Sequence, residues 1–170
     1  MLRSTPTLST STPEMVTLGI STNTRLLGMA VINREGLLDY KLHLNKSPWS
    51  PSKANLIIAT LEPCVRQYCI KRVVLSSLHV HYHTPAYKEL VSCLQSYCTV
   101  NKMPLFIETP PSFDCLYPQG VKKSKKTLMS ALVEQFPELT YCYQKELRNK
   151  NKYYYKLFEA VAAAMLYQEH

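Results

Sequence analysis

Between residues 16 and 44 three β-rich runs follow one another, separated by turns of only three or four residues, and that spacing dictates how the fold begins. A parallel crossover needs about a dozen residues or more, so strands joined this closely pair antiparallel, as a meander. The runs are residues 16–21 (VTLGIS), 26–33 (LLGMAVIN) and 37–44 (LLDYKLHL). In the third, Leu38, Tyr40, Leu42 and Leu44 alternate with Asp39, Lys41 and His43, the pattern of a strand with one wet face.

Beyond residue 45 the hydrophobic period lengthens. Ser50-Pro51-Ser52 opens a helix with Leu56/Ile57, Leu61, Val65 and Tyr68 on one stripe, and Pro63 is expected to kink or divide it. Residues 71–77 (KRVVLSS) read as a central strand covered on both faces. Thr84-Pro85 starts a helix running to about Tyr97, with Tyr87, Leu90, Val91, Leu94 and Tyr97 aligned. Residues 105–108 (LFIE) read as a buried strand stopped by Pro110-Pro111. Residues 125–135 read as a helix, 141–144 as a poor strand or loop, and 153–168 as a closing helix. The order β-β-β-α-β-α-β-α-α predicts an α/β domain over residues 16–170, a mixed five-stranded sheet with helices on both faces. Residues 1–15, rich in Ser, Thr and Pro, are expected to form a flexible tail.

Composition narrows the classes. The chain has 170 residues, enough for one domain. No run approaches the roughly 20 apolar residues of a membrane span, so no membrane partner is expected. The first 15 residues lack the apolar run of a secretory signal, although their hydroxyls and single Arg faintly resemble an organellar targeting segment. The six cysteines contain no C-x-x-C pair, and they are expected to be buried, reduced thiols of a cytoplasmic protein. Only two of the twelve acidic residues are aspartates, Asp39 and Asp114, which argues against a site built from several aspartates.

The element order is similar to that of the ribonuclease H-like superfamily, and local sequences resemble its RuvC branch, the Holliday-junction resolvases. Leu18-Gly19-Ile20-Ser21 is similar to the branch's Gly-Ile-Asp strand, and Arg72-Val73-Val74-Leu75-Ser76 to the strand that ends in a catalytic Glu. Gly120-Val121-Lys122-Lys123-Ser124-Lys125-Lys126 resembles its lysine-bearing loop, and the Phe158–Met165 run its Ala-rich closing helix. The resemblance implies a two-metal nuclease with three or four converging carboxylates, acting as a homodimer. The family's acidic positions are occupied here by Ser21, Ser76, Lys156 and Glu159, so one carboxylate of the set remains, one helical turn from a lysine. Neutral hydroxyls supply neither the charge nor the affinity that a pair of divalent cations needs. Glu159 alone is then more simply a first-turn acid favoured by the helix dipole.

The net charge of +8 is concentrated. Lys122, Lys123, Lys125, Lys126, Lys145, Arg148, Lys150, Lys152 and Lys156 face only Glu134, Glu138 and Glu146 between residues 116 and 156, a local excess of six. The second cluster encloses Tyr153, Tyr154 and Tyr155. Bases interleaved with aromatics suit nucleic acid, because ammonium groups meet phosphates and rings stack on unpaired bases. His79, His81 and His83 alternate after the fourth strand without a neighbouring carboxylate or cysteine, and they read as an exposed strand extension rather than a metal shell.

The expected function is therefore a RuvC-like module that binds DNA or RNA through residues 122–126 and 145–156, has lost two-metal nuclease activity and needs no cofactor. One alternative is an active Mg- or Mn-dependent endonuclease with relocated carboxylates, its metal held by Glu108 and Glu159 with Asp39 or Glu62. Another is a structural subunit that binds a protein partner and no nucleic acid.

Overall fold

Strand β1 (Thr17–Thr22) is buried along its whole length, as the middle strand of five must be. The computed structural model describes residues 14–149 and 153–168. Strands β2 (Leu26–Asn33) and β3 (Gly36–Leu44) continue antiparallel on one side of β1, as the short turns require. Strands β4 (Arg72–Ser76) and β5 (Leu105–Glu108) add in parallel on the other, giving the order β3-β2-β1-β4-β5. The parallel pairs are linked by helices α1 (Pro51–Gln67) and α2 (Pro85–Val100), whose N-caps are Ser50 and Thr84, each accepting from the backbone N–H three residues on. Helices α3 (Lys125–Gln135), α4 (Thr140–Arg148) and α5 (Tyr155–Met165) follow.

Side-chain alternation divides the core in two. Leu18, Ile20, Val73 and Leu75 point into a cluster with Ile57 and Leu61 of α1 and Leu90 and Leu94 of α2. Val74, Ala30 and Ile32 point the other way, against Leu128 of α3 and Phe158, Val161 and Ala164 of α5. Helix α5 lies directly on the sheet because Gly19 and Gly28 present no Cβ to it.

Several expectations need correction. Residues 141–144 belong to helix α4, where the half-buried Tyr143 sets its ring edge-on to Phe158 at 6.5 Å and Cys142 is buried; the β-prone tyrosines concealed this helical face. Strand β5 is an edge strand rather than a buried one, with Phe106 and Ile107 exposed, since only β4 pairs with it. In β3 the register shifts opposite Val31/Ile32, so Leu37 packs on the core while Leu38 turns to solvent. Pro63 does not divide the helix, which runs continuously from Pro51 to Gln67 with its last turn held by the Tyr68 and Ile70 amides donating to Cys64 and Val65. The expected tail, 1–15, lies outside the described residues apart from Glu14 and Met15.

The cysteines are all free thiols, but only Cys64, Cys98 and Cys142 are buried. Burial pushes the Cys64 and Cys98 thiols up to about 11, and a thiol so placed stays protonated and unreactive near neutrality. With a thiol reagent at pH 8, Cys69 and Cys115 are expected to react rapidly, and the three buried thiols only on unfolding. Fast labelling of Cys64 or Cys98 in the native state, mapped by peptide mass, would contradict this packing.

Candidate nucleic-acid interface

The sheet register aligns Ser21, Ser76 and Glu108 across the carboxyl ends of β1, β4 and β5. Leu18, Ile20 and Leu75 point toward α1 and α2, so alternation turns Ser21 and Ser76 toward α5. Both serines are buried, at 0% and 1% exposure, and neither Oγ has a hydrogen-bond partner among the described residues. Unpaired buried hydroxyls cost free energy, and they bring no charge to the strand ends.

Helix α5 delivers Lys156 and Glu159 to this end of the sheet. Gly28, the partner of Ser21 in the β1–β2 ladder, lies under the Lys156 backbone. Lys156 Nζ donates to Glu159 Oε1 at 3.0 Å, with the two side chains only 14% and 13% exposed. Water screens such a pair poorly, so removing one partner strands the other's charge. Glu159→Ala is expected to destabilise the fold by about 3 kcal/mol, and Lys156→Met with Glu159→Leu to recover most of that loss. Denaturant unfolding of both variants beside the parent checks this, and equal losses in the single and double variants would contradict it.

Above the pair opens a cleft of about 380 Å³. Its walls include Tyr82 from the turn after β4, Tyr117 from the loop after β5, and Lys125 and Tyr155 from α3 and α5. Lys125 Nζ sits 4.8 Å from the centre of the Tyr155 ring, a cation–π contact. Burial, then the negative charge of Glu159, pushes the Tyr155 phenol up, and burial with Asp114 and Glu159 does the same for Tyr117. Both phenols therefore remain O–H donors at neutral pH.

The basic residues singled out in the sequence distribute unevenly. Lys125 and Lys156 line the cleft. Lys122 and Lys123 are exposed on the loop before α3 and Lys126 on its first turn, where the Ser124/Thr127 capping box fixes the helix start. Lys123 pairs with Asp114 at 3.0 Å, both about half exposed. Lys145 and Arg148 are exposed on α4, with Lys145 Nζ 4.7 Å from the Tyr141 ring. Tyr153 is half-buried, and Lys150 and Lys152 lie outside the described residues. Tyr82 and Tyr117 carried no sequence signal, because tyrosines in turns show no periodicity.

The histidines do not extend a strand. Val80–Tyr82 is a 3₁₀ turn that stacks the His79 and His81 rings at 4.6 Å and turns His83 inward. There His83 Nε2 lies 2.8 Å from the Leu78 carbonyl and its ring packs on Tyr87. The other three candidate metal ligands have separate partners. Tyr167 donates to Glu108, Tyr68 donates to Asp39 at 3.0 Å, and Tyr97 and Arg66 both donate to Glu62. Among the described residues no three His, Cys, Asp or Glu side chains are grouped to hold a metal ion.

No family model matches the chain, and no curated protein matches its sequence. Solved structures do match. Thermus thermophilus RuvC aligns at TM-score 0.68 with 14% identity, over 89% of this chain and 92% of that one. The chain has a RuvC-like, ribonuclease H-like fold. The same RuvC in complex with Holliday junction substrate aligns at TM-score 0.65 with 13% identity, over 89% and 91% of the two chains. Fowlpox virus resolvase in complex with substrate Holliday junction DNA aligns at 0.57 with 13% identity, over 90% and 96%. At these identities the likeness is one of fold alone.

Proposed function

We propose that this chain is a RuvC-like nucleic-acid-binding module that has lost two-metal nuclease chemistry. The observation that carries this is the ion pair of Lys156 with Glu159 at 3.0 Å, on the helix that faces the buried Ser21 and Ser76. The only carboxylate matching a family acidic position is already neutralised by an ammonium group, and its neighbours in the motif are hydroxyls. Divalent cations in such a site need several anionic oxygens, so these residues do not fit a metal pair. Lys125 on the cleft wall and the exposed Lys122, Lys123 and Lys126 leave the surroundings cationic, which suits a polyanion held without cutting.

Two of the structural neighbours hold Holliday junction DNA, which makes a four-way junction the first ligand to try. The test is equilibrium binding of the full chain to a four-way junction, a duplex and single-stranded RNA over a range of salt. Binding that weakens steeply with salt supports the proposal. Failure to retain any of the three at moderate ionic strength would overturn it and favour a subunit that acts through protein contacts alone.

A further inference from the structure

Residues 45–50 join β3 to α1 without helix or strand, and they carry Ser-Pro twice, at Ser47-Pro48 and Ser50-Pro51. Ser47 is exposed, and its hydroxyl donates only locally, to Asn45 Oδ1 at 2.6 Å. Against this loop lies Lys53, a cation only 2% exposed. Its ammonium donates to the Asn45 carbonyl at 3.2 Å and to the Ser47 carbonyl, and it pairs with no carboxylate among the described residues. Buried charge is ordinarily paired with its opposite, and here the neighbours have the same sign. Burial, then the positive charge of Arg25, pushes the Lys53 pKa down. Arg25 is tied to the loop by its carbonyl, which accepts from the Asn45 amide at 2.7 Å, and Lys46 is exposed next to Ser47. Glu89 reaches the loop only through the Trp49 indole N–H, which donates to it at 3.3 Å. Among the described residues four Ser or Thr precede a proline. Ser50 and Thr84 are engaged in capping α1 and α2, and Thr109 follows the acidic Glu108. Ser47 is the one of the four with a free hydroxyl group beside an unpaired cation.

We propose that Ser47 is a phosphorylation site for a proline-directed protein kinase, and that Lys53, Arg25 and Lys46 receive its phosphate and fasten the loop to the start of α1. In the transfer the Ser47 oxygen bonds to the γ-phosphorus of ATP, the bond from that phosphorus to the bridging oxygen breaks to leave ADP, and the hydroxyl proton passes to the kinase's base. Phosphoserine carries a charge of about −1.5 to −2 at pH 7 and three strong acceptor oxygens, which supply the anion that the buried ammonium lacks. None of these residues lines the cleft, so the site stands or falls apart from nucleic-acid binding.

The test treats the full chain with a cyclin-dependent kinase and ATP and locates the phosphate by peptide mass. Close to one phosphate per chain is expected on Ser47, and none on that peptide in Ser47→Ala. The phosphorylated protein is expected to melt about 3 °C above the unmodified one. Its ³¹P signal should titrate below the value of about 6 usual for phosphoserine, because neighbouring cations favour the dianion. Lys53→Met with Arg25→Gln should remove both shifts, each compared with the same variant unphosphorylated. Arg25 is exposed, so Arg25→Gln alone keeps the fold and should reduce both shifts even if the buried Lys53→Met does not fold. No phosphate on Ser47, a melting temperature that phosphorylation does not raise, or shifts that survive these variants would overturn the proposal.

Discussion

Gly28→Ala and Gly19→Ala are each expected to destabilise the protein by about 3 kcal/mol, at the upper end of overpacking losses. A Cβ on Gly28 would stand 2.3 Å from the Lys156 carbonyl oxygen and 2.5 Å from its carbon. One on Gly19 would stand 2.0 Å from the Ala160 carbonyl oxygen and 2.9 Å from Ala164. These obstacles are backbone atoms and cannot rotate aside, so the whole of α5 would have to lift from the sheet. Ala160, Ala162, Ala163 and Ala164 are all fully buried, and lifting the helix would open gaps along that face. For a domain of this size the expected fall in melting temperature is roughly 10 °C. Gly120 serves as the control: its φ of +75° is strained for alanine, yet no atom lies within 4 Å of the added carbon. Gly120→Ala should cost only about 1 kcal/mol. If Gly28→Ala unfolded as the parent does, α5 would not be seated where these distances put it.

The second large effect falls on binding. Replacing Lys122, Lys123, Lys125 and Lys126 together by alanine should lower affinity for junction DNA several-hundred-fold at about 0.1 M salt. Each phosphate contact contributes about 0.9 to the slope of log affinity against log salt, so losing three or four contacts flattens that slope by about three. The Lys123–Asp114 pair does not withhold its charge, since both partners are about half exposed and such pairs are weak. All four lysines are exposed and the Ser124/Thr127 cap is retained, so stability should hardly change. Lys145→Ala with Arg148→Ala, on α4, should have a smaller effect. A parental slope in the four-lysine variant would place the binding surface elsewhere.

How far the sequence could be read depended on whether a signal was local. Turn length alone fixed the antiparallel meander, and Ser50-Pro51 and Thr84-Pro85 marked the starts of α1 and α2. The α3 boundaries coincide with the expected 125–135, because Ser124 is a strong cap and Phe136-Pro137 a strong stop. Helix α4 was hidden by Tyr141 and Tyr143, since β propensity measures fit to a half-buried surface and Tyr143 finds one on Phe158. The apolar composition of β5 said nothing about which strand would be at the edge, which depends on strand order. His83 turned inward through contacts with Leu78 and Tyr87 that alternation could not anticipate.

The site shows the same division. Ser21, Ser76, Lys156 and Glu159 were each legible as motif positions, and the register and the α5 contacts bring that end of the sheet and helix together. The Lys156–Glu159 pair was foreseeable from their spacing of three residues on a helix, but its burial was not. Tyr82 and Tyr117 come from separate turns and line the same cleft only through the fold.

The most direct measurement places saturating protein on an end-labelled four-way junction with Mg²⁺ or Mn²⁺ and follows complex and strand length in the same sample. The expected result is a shifted, salt-sensitive complex whose strands stay intact. Metal-dependent cleavage by the parent protein that disappears in Glu159→Gln would contradict the central claim and restore Glu159 to the role of a metal ligand.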